Sequence, residues 1–288
     1  MSLDLELLKQ LRDITGAGIL DCKKYLVRAD NVLDDAIKLM RSEEGIKADK
    51  KSARIAAEGV VYFKSNSSKS LLIEINSETD FVARGDDFLS YVNQTCEMII
   101  SSGYNSLEAL MGSSDDAVKN DLEGLRKNYV TKLGENIQIR RFHCIDNLEN
   151  FVTGYTHNNK IGAIVTLAKE DGQLSKDICM QIVASNPLGL DEKSLDESLL
   201  ANEKDVYKAE LDKIDKKDDI KRNIMDGKVK KFITDNTLLN QPYIKDGSLS
   251  LKKIIKDNEI ISYERYQLGE GIEKKQEDFA GEVYSQIK

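Results

Sequence analysis

The chain has 288 residues, 40% apolar and 32% charged, enough for a substantial core and too many for one small module. Lysine and arginine number 42 against 50 aspartates and glutamates, a formal net charge of −8, which argues against holding DNA or RNA by global charge because phosphate neutralisation needs a basic surface. No apolar run approaches the roughly 20 residues that span a bilayer, and Met1-Ser2-Leu3-Asp4-Leu5-Glu6 carries no targeting signature, so a soluble, cytoplasmic protein with no membrane partner is expected.

The first fifty residues predict three helices. Leu7, Leu8, Leu11 and Ile14 recur at three- and four-residue spacing, and Gly16-Ala17-Gly18 breaks the pattern with a corner. A second helix is expected to place Ile19, Cys22 and Leu26 on one side. Asn31 is expected to cap a third, with Leu33, Ala36, Ile37 and Met40 inward and a stop at Gly45. The basic stretch Ile46 to Ala57, with Lys47, Lys50, Lys51 and Arg54, reads as a solvated helical linker.

The texture then changes. Val60-Val61-Tyr62-Phe63 and Leu71-Leu72-Ile73-Glu74-Ile75 flank the turn residues Ser65 to Lys69, a hairpin signal. Ser77-Glu78-Thr79-Asp80 leads into a helix through Phe88, Leu89, Val92, Cys96 and Ile99. A further helix is expected over Leu122 to Leu133, and a strand over Ile137 to Phe142. Hairpin and helix then recur roughly ninety residues on, with Phe151 to Thr156, a turn at His157 to Lys160, Ile161 to Leu167 and a helix ending at Asn186-Pro187, which reads as an internal repeat. Leu195, Leu199, Val206, Tyr207, Leu211 and Ile214, then Ile220, Ile224 and Val229, mark an antiparallel helical hairpin. It either mediates a homodimer or lies idle. A strand over Ile260 to Tyr266 and a closing helix from Ile272, with Phe279, Val283 and Ile287 in line, complete the α+β pattern.

Enzyme signatures are missing. Neither a phosphate-cradling G-x-x-x-x-G-K-[ST] loop nor an H-E-x-x-H or G-x-S-x-G motif occurs, and Gly269-Glu270-Gly271 reads as a turn. His143 and His157 are the only histidines, too few for a metal site built on several imidazoles. The cysteines at 22, 96, 144 and 179 form no close pair. His143 and Cys144 are neighbours in a strand-like run, where alternation sends them to opposite faces. No cofactor, metal or covalent chemistry is expected. One segment carries a different signal, Glu78-Thr79-Asp80-Phe81-Val82-Ala83-Arg84. In one reading Thr79 or Asp80 caps the next helix while Phe81 and Val82 enter the core. In the other the aromatic projects as a wedge beside a carboxylate, as interface anchors do.

Several segments together carry a resemblance. Leu11 to Lys24 (LRDITGAGILDCKK), Thr79-Asp80-Phe81-Val82-Ala83, Gly134-Glu135-Asn136-Ile137, Ile139-Arg140-Arg141 and Gly269 to Lys274 occur in the order found in the elongation factor Ts family, which the chain resembles over essentially its whole length. The resemblance implies a ubiquitin-associated-like three-helix domain with a basic linker (1–54), a core N-subdomain (55–150) and a core C-subdomain (151–190 and 230–264) with antiparallel sheets. It further implies a protruding coiled-coil hairpin (191–229) and a C-terminal helical module (265–288). It implies guanine-nucleotide exchange on the GTPase elongation factor Tu, in which Asp80 and Phe81, flanked by Thr79 and Val82, disturb the Mg²⁺ and phosphate sites. Further contacts are implied for Arg12, Ile19 and Leu20, where relatives often carry methionines at the last two positions, and for Tyr155 and His157. Asn158 stands where the family has glycine.

Overall fold

The computed structural model describes residues 4–15 and 17–273, and these divide into two compact units. The first takes the chain up to Lys64, Leu71–Cys144 and the residues from Tyr266 on; the second takes Ser65–Ser70 and Ile145–Arg265.

In the first unit, α1 (Leu5–Thr15), α2 (Ile19–Arg28) and α3 (Leu33–Lys51) close around Leu11, Cys22, Tyr25, Leu26, Ala36 and Met40. Three details differ from the periodicity. Ile14 and Ile19 lie on the outside: the buried residue of α1 is Leu11, and the buried stripe of α2 runs through Cys22, Tyr25 and Leu26. Asn31 does not cap α3: with Asp30 it takes the left-handed conformation (φ 59° and 52°) that turns the corner, and Val32 is the flanking residue. Helix α3 also passes through Gly45. A mid-helix glycine costs about 1 kcal/mol, and the added turn offsets it by burying Ala48 in the next core and pairing Asp49 with Lys127 at 3.0 Å. The stretch read as a solvated linker is thus partly inside, with Ala48, Ala56 and Ala57 all buried. Gly16 of the expected corner lies outside the described residues.

Next come β1 (Glu58–Ser65), β2 (Lys69–Ser77), α4 (Asp80–Ala83), α5 (Asp86–Ser102), α6 (Leu107–Gly112), α7 (Asp116–Leu133) and β3 (Ile137–Asp146). The sheet order is β1-β2-β3, so the apolar strand β2 is central and buried along nearly its whole length. Helix α5 contributes Phe88, Tyr91, Val92, Cys96 and Ile99 to the same core as Leu71, Ile73 and Ile75, positions one helical turn apart meeting alternate positions of a strand. Helix α6, absent from the sequence reading, is a single capped turn and a half whose start is set by Ser106 accepting from the Ala109 N–H at 3.1 Å.

The second unit repeats the plan. Strands β4 (Phe151–His157) and β5 (Ile161–Leu167) pair antiparallel from Phe151↔Leu167 to His157↔Ile161, and α8 (Gly172–Ser185) contributes Ile178, Cys179 and Ile182 to their core. Helices α9 (Glu197–Asp212) and α10 (Asp218–Asn236) form the helical hairpin, whose second arm continues past residue 229. Of its residues only Leu211 is buried, and Val206, Ile214 and Ile220 face outward. Strands β6 (Pro242–Tyr243) and β7 (Asp246–Ser250) form a small ladder ahead of α11 (Leu251–Ile255), and β8 (Ile260–Gln267) completes the sheet order β4-β5-β8. In both sheets the third strand therefore lies against the second strand of a hairpin, which turns the textural repeat into a topological one. The closing helix expected after Ile272 lies outside the described residues. Among the described residues no helix is long and apolar enough to cross a membrane.

Candidate functional site

Strand β2 ends at Ser77, and the chain needs residues 78–85 to reach α5. Thr79 opens the single turn α4: its Oγ1 accepts from the Val82 N–H at 3.3 Å, while Ser77 Oγ donates to the Thr79 carbonyl at 3.0 Å. The turn then distributes its side chains. Ala83 is buried, Val82 is half-buried against the core around α5, and Phe81 stands 85% exposed. Both sequence readings are thus partly met, the cap and Val82 following the first and the ring following the second. Asp80 lies beside Phe81 at the start of the turn and pairs with Arg84 at 2.8 Å across one helical repeat. The arrangement is an aromatic ring in solvent next to a carboxylate, on a support with one side fixed in the core.

The loop after α7 holds this turn. Gly134 ends α7 in the left-handed conformation (φ 80°) and delivers Glu135 to Thr79, whose N–H and O–H donate to Glu135 Oε2 and Oε1 at 3.0 and 2.6 Å. The reverse pairing stands beside it, with the Asn136 N–H donating to Glu78 Oε1 at 2.6 Å. The Asn136 side chain, fully buried, donates to the carbonyls of Arg54 and Ser52 at 2.8 and 3.3 Å, and Arg54 pairs with Glu78 at 3.4 Å. Glu135 and Asn136 belong to a segment quoted above for its resemblance, but sequence spacing gave no sign that they meet Thr79 and Glu78.

A buried carboxylate explains two further segments. Glu74 is fully buried on β2 and accepts from Arg140 at 2.9 Å, Arg141 at 2.7 Å and the Gly269 N–H at 2.8 Å. Arg141 also stacks on Tyr266 at 4.3 Å and donates to the Gln267 carbonyl at 3.1 Å. Gly269 has φ 69°, and a Cβ there would lie 2.6 Å from the Ala57 carbonyl oxygen. Arg140-Arg141 and Gly269-Glu270-Gly271 are therefore structural partners, and the latter is a turn.

Arg12, Ile19 and Leu20 flank the corner between α1 and α2. All three are exposed, Ile19 by 51% and Leu20 by 79%, an apolar pair that a core would normally take. Tyr155 and His157 belong to the other unit, at the tip of the β4–β5 hairpin. Asn158 Nδ2 lies 3.3 Å from His157 Nε2, and Tyr155 Oη lies 3.2 Å from His157 Nδ1. Asn158 and Asn159 take φ 52° and 55°, so asparagine supplies the left-handed turn that a glycine would.

All four cysteines are buried, and burial pushes the thiols of Cys96 and Cys179 up to about 12, away from reactive thiolates. Cys144 points into the core while its neighbour His143 is half-exposed, as strand alternation requires. Among the described residues no cluster of three or more His, Cys, Asp or Glu could hold a metal ion.

Comparison with known proteins places these features in one lineage. A family model described as "Elongation factor TS" matches residues 78–270, from the start of the Phe81 segment to the Gly269 turn. Curated relatives named elongation factor Ts include those of Thioalkalivibrio sulfidiphilus, 37% identical over 293 residues, covering 100% of this chain and 99% of that protein. Those of Alkalilimnicola ehrlichii and Teredinibacter turnerae are each 39% identical, covering 100% of this chain and 99% and 98% of theirs. The chain belongs to the elongation factor Ts family.

Proposed function

We propose that the chain binds elongation factor Tu in its GDP state, displaces Mg²⁺, and so promotes GDP release and reloading with GTP. The family acts in translation elongation by nucleotide exchange and makes no covalent bond in doing so. In this reading Asp80 and Phe81, supported by Thr79 and Val82, enter the nucleotide domain of the GTPase. In the GTPase a bound Mg²⁺ would neutralise phosphate charge, so displacing it would weaken the hold on GDP. Linkage makes the effect reciprocal: a protein that lowers nucleotide affinity is itself expelled when nucleotide and Mg²⁺ return.

The observation that carries the reading is the 85% exposure of Phe81 on a turn held by the Thr79–Glu135 hydrogen bonds and the burial of Ala83. A solvent-facing ring contributes little to its own fold and gains most of its burial energy, about 2–3 kcal/mol, only on entering a partner's pocket. Arg12, Ile19 and Leu20 would extend the contact from the three-helix unit, and Tyr155 and His157 from the second hairpin. Residues 1–54, 55–150, 151–190 with 230–264, 191–229 and 265–288 are the proposed functional divisions, acting in the cytoplasm.

Release of a fluorescent GDP analogue from elongation factor Tu tests this directly. Addition of the protein should accelerate release, and Asp80→Ala combined with Phe81→Ala should remove most of the gain. Retention of the GTPase on the immobilised protein should be lost with excess GDP and Mg²⁺. Release that is unchanged by the wild-type protein rejects the proposal.

A further inference from the structure

We propose, on the exchange reading above, that Glu135 is a positioning residue for exchange: its carboxylate sets the one-turn helix that presents Asp80 and Phe81 by taking both the N–H and the O–H of Thr79. Helix α4 has four residues. Isolated helices shorter than about 12 residues are marginal in water, so this one takes its geometry from what it touches. Phe81 points outward and supplies no anchor of its own.

The chemistry of the contact fixes a direction. A carboxylate only accepts, so the Thr79 hydroxyl must donate to Glu135 and is left with its lone pairs for the Val82 N–H. The result is a chain, Val82 N–H to Thr79 Oγ1 to Glu135, in which each bond polarises the next. Without the carboxylate the hydroxyl rotor is free, and the cap that starts the turn loses its set orientation. The Thr79 backbone N–H, the second group bound, precedes the turn and so fixes where it begins.

Glu135 is itself well held. Gly134 reverses the chain at the end of α7, and on the other side Asn136 is fully buried, bonded to Glu78, Arg54 and Ser52. The reciprocal pairs Glu78–Asn136 and Thr79–Glu135 lock the two loops at adjacent residues, so a change at residue 135 reaches the ring through two hydrogen bonds and no long path. The corresponding joint of the second hairpin is tied by a different device: Asn258 accepts from the Lys169 N–H and donates to the Lys169 carbonyl, each at 3.0 Å, and Asp171 caps α8 by accepting from the Leu174 N–H at 3.0 Å.

The test uses the full chain, elongation factor Tu and a fluorescent GDP analogue, with release measured across factor concentration. Glu135→Ala should lower the saturating release rate about tenfold while moving the half-saturating concentration by less than about threefold, because a misplaced wedge docks and works poorly. Glu135→Gln, whose single carbonyl oxygen can accept one of the two bonds, should recover part of the loss. Thr79→Val should be slow as well, and Thr79→Val with Glu135→Ala no slower than the worse single variant by more than about twofold, since both act through one contact. A folded Glu135→Ala protein at the wild-type rate overturns the proposal, as do losses that multiply in the double variant or fall on the half-saturating concentration alone. If Glu135→Ala fails to fold, Glu135→Gln and Thr79→Val decide, and wild-type rates in both overturn it. Phe81→Ala separates the two levels: loss there with Glu135→Ala intact sinks only the positioning role, whereas no acceleration by wild-type protein sinks the exchange reading together with it.

Discussion

The two hairpin-and-helix regions are built from the same parts and differ at opposite ends of those parts. In the first, the hairpin tip is tied down, with Asn66 Oδ1 accepting from the N–H groups of Ser68 and Lys69 at 2.9 and 2.8 Å and Asn147 Nδ2 donating to the Asn66 carbonyl at 2.9 Å, while the joint to the helix is expanded into residues 78–85 with an exposed ring. In the second, the joint is the short run 168–171 ended by a capping Asp171, and it is the tip that carries Tyr155 and His157. The scaffold tolerates both because each helix is held to its hairpin by its middle. Elaborating a loop at one end leaves the buried stripe untouched, so two copies of one fold come to present different chemistry.

The largest effects should come from breaking what the copies share. Phe88 on α5 and Ile178 on α8 are fully buried at the centre of their cores. Phe88→Ala is expected to cost about 3–5 kcal/mol and Ile178→Ala about 2–5 kcal/mol in denaturant unfolding, each felt in its own unit. Phe81, only seven positions before Phe88 in the sequence, should behave in the opposite way. Phe81→Ala should change stability by less than about 0.5 kcal/mol yet slow stimulated GDP release about a hundredfold, the scale of an interface anchor. Equal destabilisation by the two phenylalanine variants would show that the ring at 81 serves the fold.

This contrast also marks the limit of what the amino-acid pattern can tell. Strands β1, β2, β4 and β5, and helices α5 and α8, were legible because each repeats its signal over several periods between clear turn residues. A four-residue helix has no period to read, so nothing in the pattern distinguishes the inward Val82 from the outward Phe81. Ile19 fails for the same reason: at the first position of α2 the periodicity is satisfied by Cys22, Tyr25 and Leu26 without it. Gly45 illustrates the converse, a local stop signal overridden by tertiary burial of Ala48. The clamp was out of reach altogether, since Thr79 and Glu135 lie 56 positions apart and only folding makes them neighbours. The resemblance to a family pointed to both segments, but physical contact is what separates Glu135 from Phe81 in role.

At the second hairpin the expected effect is smaller. His157 is exposed at the tip, its ring within hydrogen-bond reach of its hairpin neighbours Tyr155 and Asn158. His157→Ala should raise the half-saturating factor concentration in the release assay about fivefold, equivalent to about 1 kcal/mol of contact, and leave the saturating rate close to wild type. A fall in the saturating rate at constant half-saturation would instead assign the tip to the exchange step and erase the division of labour between joint and tip.

The subtlest difference lies in how the helices are tied down. On α5 the buried positions are apolar apart from Thr95, whereas α8 buries Asp177, which accepts from Tyr243 at 2.6 Å, Gln173 at 2.8 Å and Lys245 at 2.7 Å. Burial alone would raise the Asp177 pKa, but the hydrogen bonds from Lys245, Tyr243 and Gln173 outweigh it and hold the group below its ordinary value. In turn, burial and the neighbouring carboxylate push Tyr243 up to about 12. A carboxyl group whose folded pKa is depressed contributes stability that is complete above its unfolded value, about 4, and vanishes as pH falls through the lower folded value. Asp177→Asn keeps an oxygen for Tyr243 but loses the charge opposite a half-exposed lysine, so the cost at pH 7 should stay below about 1 kcal/mol. Because the benefit of ionisation disappears in acid, the gap in melting temperature between wild type and Asp177→Asn should be constant from about pH 7 to pH 5 and close progressively below about pH 4. A gap that persists unchanged in acid would mean that Asp177 holds α8 by shape and hydrogen bonding alone, and the two helices would then be fastened by the same forces.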